Sequence, residues 1–167
     1  TSTPNPITSV PSPFVEPLAL ELGGGLLGLA QGHQLIERIG NVREQVAGEL
    51  GFLLPDVVVR DNLSLPSDGY LFTLRGTRIA DGHLQPAHPE TIHRLLEHFG
   101  RVVRHHAAEL LTRQQVHHLV DRLTERASRL VEELVPEVVP TSRLHRVLGN
   151  LLADQVPIRD LETILEP

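Results

Sequence analysis

The sequence predicts an α+β protein, a small β-α-β-β layer followed by a compact four-helix unit. Three observations lead there. Apolar residues alternate near the start, at Leu18, Leu20 and Leu22. Between His33 and Leu50 they recur at helical spacings of three and four. From Pro89 onward the alternation stops and only helical spacing remains. The expected divisions are a linker over 1–14, an α+β subdomain over 15–87 and a helical subdomain over 88–167.

Thr1 to Pro13 holds four prolines among Ser, Thr and Asn, the composition of an extended linker. Glu16 to Leu22 is a strand, stopped by Gly23-Gly24-Gly25. The helix over His33–Leu50 buries Leu35, Ile39, Val42, Val46 and Leu50, and Gly51 caps it. The β-branched run Asp56–Arg60 reads as a buried strand. Pro66-Ser67-Asp68-Gly69 is a turn, and Tyr70–Arg75 is the strand returning from it as a hairpin. Gly76 marks a bulge or bend, and Thr77–Leu84 either continues that strand or pairs with the sheet.

Pro89 takes the first position of a helix whose stripe runs through Ile92, Leu95, Leu96, Phe99, Val102, Val103 and Leu110. Thr112-Arg113-Gln114-Gln115 has the form of a capping box, so a second helix starts there. It continues through Val116, Leu119, Val120, Leu123, Ala127, Leu130 and Leu134, until Pro136 and Pro140 bracket a break. Leu144, Val147, Leu148, Leu151 and Leu152 define a third helix. Pro157 opens a fourth, with Ile158, Leu161, Ile164 and Leu165.

Composition narrows the function. No apolar run approaches the roughly 18 residues a membrane helix needs. There is no cysteine, which excludes disulfides, thiolate metal sites and cysteine nucleophiles. A net charge of −6 argues against general nucleic-acid binding, which needs a basic face. All 15 basic residues are arginine, a bias of codon usage rather than of chemistry.

The motifs are weaker than they look. Gly23-x-Gly25-x-x-Gly28 follows a strand, as a dinucleotide fingerprint would. That chemistry needs a helix opening inside the loop, with its amides on the pyrophosphate. Here the helix begins only near His33, and a flexible loop is the better reading. Ten histidines invite a metal site, among them His93, His98, His105-His106 and His117-His118. None has ligand spacing such as H-E-x-x-H, so solvated helix positions are expected. No serine sits in a nucleophile elbow, and no carboxylate pair has apolar surroundings. The expectation is a binding or scaffold protein, not an enzyme, with no catalytic residue, metal or cofactor.

Three segments carry a resemblance. The first is Arg38-Ile39-Gly40-Asn41-Val42-Arg43-Glu44-Gln45-Val46-Ala47-Gly48-Glu49-Leu50-Gly51-Phe52, running on to Arg60-Asp61-Asn62. The second is Arg104-His105-His106-Ala107-Ala108-Glu109-Leu110-Leu111-Thr112-Arg113-Gln114. The third joins Leu130–Pro136 to Val147-Leu148-Gly149-Asn150-Leu151-Leu152 and Ile158–Glu166. In that order they resemble the cytosolic domain of the FHIPEP family, export-gate components of flagellar and injectisome type III secretion. The resemblance implies an inner-membrane protein with its membrane half upstream and its cytosolic part in a ring. The implied partners are copies of itself, other export-apparatus proteins, and export substrates with their chaperones. The alternative is a free-standing adaptor on the same scaffold, without a membrane half. The family's second subdomain should follow Gln85-Pro86, but this chain passes almost directly to His88-Pro89-Glu90-Thr91-Ile92. A fourth subdomain, which the family carries after the third, has no counterpart in this sequence. The second subdomain supplies much of the family's chaperone-docking hollow, with Thr91 on its rim. The other candidate partner contacts are Arg104, Glu109, Arg113 and Asp121, on a polar ridge beside the second segment.

Overall fold

The computed structural model describes residues 15–126, 129 and 140–165. The linker expected over 1–14 lies outside them, as do Ala127, Leu130 and Leu134 and the break at Pro136. The fold is α+β, as expected. The chain forms two compact units. The first takes residues up to Val42 together with Pro55–Val102, and the second takes Arg43–Leu54 together with residues from Val103 onward.

The first unit is organised around a four-stranded sheet. Its strands are β1 (Leu18–Leu22), β2 (Val57–Asp61), β3 (Gly69–Leu74) and β4 (Thr77–His83), in the spatial order β2-β1-β3-β4. β1 pairs parallel with β2 and antiparallel with β3. The hairpin expected between the second and third strands is therefore not formed; β1 lies between them. The reason is burial. β1 offers Leu18, Ala19, Leu20 and Leu22, all at most 1% exposed, and takes the middle of the sheet. β2 is left at an edge, where only Val59 is buried and Val57 and Val58 are half-buried. The true hairpin joins β3 to β4. Arg75 and Gly76 form its two-residue turn, both at positive φ, 48° and 81°. The register slips between Phe72 and Thr73.

α1 (Gln34–Leu50) carries the predicted stripe, with Leu35, Ile39, Val46 and Leu50 buried and Val42 half-buried. α2 (Thr91–His105) starts two residues after Pro89 and stops before Leu110. His106 breaks the expected run, and a short α3 (Ala107–Leu110) follows. The capping box at the start of α4 (Arg113–Arg126) forms as predicted. Gln115 N–H donates to Thr112 Oγ1 at 3.1 Å, and Thr112 N–H donates to Gln115 Oε1 at 3.0 Å. α5 (Thr141–Ala153) buries Leu144, Leu148 and Leu152 and packs on α3 and α4. Each such leucine contributes about 1.5–3 kcal/mol of burial. The last helix, α6 (Leu161–Leu165), begins four residues later than Pro157. Asp160 precedes it and accepts from Thr163 N–H and Oγ1. Ile158 lies in the extended lead, buried, and its N–H donates to Leu50 O at 2.8 Å.

The glycine run is neither a phosphate loop nor a plain loop. Gly24–Ala30 winds as a 3-10 helix with Leu26 and Ala30 buried. Gly23 N–H donates to Gly69 O and Gly25 N–H to Ser67 O, both at 2.8 Å. A Cβ on Gly23 would stand 2.1 Å from Pro66 O, whereas one on Gly28 would meet nothing within 4 Å. The backbone contact, not a ligand, accounts for Gly23. Gly23→Ala should cost about 1–3 kcal/mol in denaturant unfolding, and Gly28→Ala should change stability far less.

Candidate functional site

Each candidate contact residue has a definite place. Thr91 is 3% exposed, and its single hydroxyl proton is shared between Gln85 O and His88 O. It ties the end of the β4 crossing to the start of α2. Around it lies a polar hollow in the first unit, lined by Asp68, His83, Gln85, His88 and Arg94. His83 Nδ1 is 3.2 Å from Asp68 Oδ1.

The other candidates belong to the second unit. Arg104 grips Glu49 with two nitrogens: Nε to Oε2 at 2.9 Å and Nη2 to Oε1 at 3.1 Å. The guanidinium hydrogen bond holds the Glu49 carboxyl below its ordinary value of 4.5, against a smaller opposing push from burial. Glu109 is exposed and lies 3.3 Å from His106 Nδ1. Arg113 is exposed at the first turn of α4, and Asp121 is exposed about two turns along it. The ridge is thus partly committed to internal pairs, with Arg113 and Asp121 facing outward.

Asp121 borders a feature the sequence did not disclose. A groove of about 400 Å³ runs between residues 52–53 and α4, lined by Phe52, Leu53, Gln115, His118, Leu119 and Arg122. Leu53 is 68% exposed, yet its backbone is fixed. Arg43 Nη2 donates to Leu54 O at 2.8 Å, and Gln115 Nε2 donates to Leu53 O. Gly51 turns the chain out of α1 at φ 100°, and a Cβ there would stand 2.3 Å from the Arg159 backbone. The signal for this loop, an unbroken apolar Phe52-Leu53-Leu54 after Gly51, was present but indistinguishable from core.

Among the described residues, no group of three or more His, Asp or Glu could hold a metal ion. No helix among them is long and apolar enough to cross a membrane.

The FHIPEP family profile matches residues 5–95 and 88–167. The chain belongs to the FHIPEP family. Among its relatives, flagellar biosynthesis protein FlhA of Escherichia coli (strain K12) is 32% identical over 197 residues, covering 89% of this chain and 28% of that protein. FlhA of Proteus mirabilis is 30% identical over 199 residues, covering 90% of this chain and 29% of that protein. This FHIPEP chain therefore spans under a third of the length of those relatives. The solved structure of the Chlamydia pneumoniae CdsV protein shares the fold, with TM-score 0.82 at 19% identity over 95% of this chain and 60% of that one. Nonameric EPEC SctV-C does so with TM-score 0.75 at 21% identity over 93% of this chain and 60% of that one.

The matched lengths also differ between this chain and its relatives. The E. coli match takes in 89% of 167 residues, about 149, yet runs over 197 positions. The relatives thus carry extra residues inside the matched region. The two family matches overlap at 88–95, where the chain passes from β4 to α2.

Two outcomes test the geometry. Arg104→Ala should cost about 0.5 kcal/mol, because both partners are over a third exposed, and a double-mutant cycle with Glu49→Gln should recover that coupling. The coupling should be full above the ordinary 4.5 and fade as pH falls through the lower folded-state value. Leu53→Ser should leave the unfolding free energy within about 0.5 kcal/mol of wild type in denaturant unfolding, as expected of an exposed side chain.

Proposed function

We propose that this chain is the cytosolic part of an export-gate component of a flagellar or injectisome type III secretion apparatus. It acts by protein contact and carries out no chemistry of its own. The observation that carries this reading is the identity of about 30% to flagellar FlhA across nine-tenths of the chain. The partners are other copies of itself in a ring, export-apparatus proteins, and export substrates with their chaperones. Support for self-assembly comes from a nonameric relative, EPEC SctV-C, and support for a second protein from the CdsV and CdsO protein complex of Chlamydia pneumoniae. The place of work is the cytoplasmic face of the inner membrane, reached through an upstream segment. The groove beside Leu53 is a candidate contact, because it presents an exposed apolar side chain on a fixed backbone.

Removing residues 15–165 in frame from the native gene should abolish secretion of flagellar or injectisome substrates into the medium, and restoring them should return it. Unchanged secretion would sink the reading. Leu53→Ser in the same gene should lower secretion while the protein's cellular level stays constant.

The shortened junction favours a second reading, a free-standing adaptor without a membrane half. Membrane fractionation of the native gene product separates the two. Recovery with the membranes supports the gate, and recovery only in the supernatant supports the adaptor.

A further inference from the structure

His98, near the middle of α2, is not a solvated helix position. Its Nδ1 lies 2.6 Å from Tyr70 Oη on β3. Its ring crosses those of Tyr70 and Phe72 near the perpendicular, each at 5.6 Å between centroids. Phe72 in turn meets Phe99 at 5.8 Å. β4 closes the far side of the phenol. A Cβ on Gly82 would lie 2.5 Å from Tyr70 Oη, so glycine there leaves the hydroxyl just enough room. Tyr70 is 5% exposed. The pair therefore joins α2 to the β3–β4 hairpin within the first unit.

The protonation states follow from these surroundings. Burial pushes the Tyr70 phenol up, so it keeps its proton and donates. Burial pushes His98 down, and the positive charge of Arg101 on the same helix pushes it further; Asp81 on β4 opposes both with a smaller effect. With the phenol as donor, the neutral imidazole is assigned the tautomer that accepts at Nδ1 and carries its proton on Nε2. A second proton makes Nδ1 a donor, so the contact persists only in reverse, with the phenol oxygen accepting and the phenol proton losing its acceptor. It also places a cation among buried rings and near Arg101.

We propose that Tyr70 and His98 form an acid-sensitive latch that holds α2 against the β3–β4 hairpin, strongest while His98 is neutral and weakened when His98 takes a proton. Weakening it loosens the cover over Phe72 and Phe99. The sign follows from linkage. A histidine held below its unfolded value of about 6.5 contributes its full stabilisation above that pH. The contribution is lost as pH falls through the lower folded-state value.

The test is a histidine-ring NMR titration of the full chain, with amide hydrogen exchange at about pH 7.5 and about pH 5.5. His98 should titrate below its ordinary value; titration at or above it overturns the proposal. Amide protection in α2 and β3, corrected for intrinsic exchange, should fall on acidification. In His98→Gln, whose amide oxygen can accept from the phenol but does not titrate, that fall should disappear. An equal fall in wild type and variant overturns the latch. Should His98→Gln fail to fold, Tyr70→Phe serves instead. Loss of the donor should move the His98 titration upward, and an unmoved titration counts against the proposal.

Discussion

β1 has a strand on each edge and apolar packing on both faces, and the topology of the first unit follows from satisfying all four sides. A parallel neighbour cannot be reached by a tight turn; it needs a crossover of a dozen residues or more. The chain supplies one with the 3-10 turn, α1 and the loop that ends it. An antiparallel neighbour then closes the other edge, and that strand turns back at Arg75-Gly76 to become β4. Glu21 is the polar interruption in β1. Its carboxylate accepts from Asn62 Nδ2 at 3.0 Å, just past the end of β2. A one-residue slip would exchange the two faces and drive that carboxylate toward the core.

Much of this was readable from the residues, and the misses share a cause. Short-range chemistry was explicit. The Thr112–Gln115 box, the α1 stripe and the Gly51 cap are spelled within a few positions of one another. Strand pairing was not, because Asp56–Arg60 and Tyr70–Arg75 satisfy the pattern of a hairpin as well as that of strands parted by a third. Only the deeper burial of β1 decides between them. The site suffered most. Arg104 and Glu49 are 55 residues apart, and Tyr70 and His98 are 28 apart. No local pattern announces such a pair. Thr91, placed by the resemblance on a rim, does line a hollow, and its hydroxyl is also shared between two backbone carbonyls, which no local pattern announces.

In the second unit, order and exposure are combined in one loop. Ordinary exposed loops are free to move, and a partner that binds them must bear the cost of ordering them. Residues 51–54 are held by a side chain from α1, a side chain from α4 and the backbone hydrogen bond of Ile158 to Leu50, while Leu53 stays in solvent. An apolar side chain held this way is already in place before any contact is made.

The crossing from β4 to α2 is closed by its own hydrogen bonds. His88 N–H reaches Gln85 O, Thr91 N–H reaches His88 O, and the Thr91 hydroxyl spans both carbonyls. The first turn of α2 therefore begins on carbonyls that the crossing itself supplies. The two matches of the family profile meet over 88–95, which makes the end of this crossing a splice point between the part of the profile that closes with the sheet and the part that opens with the helix.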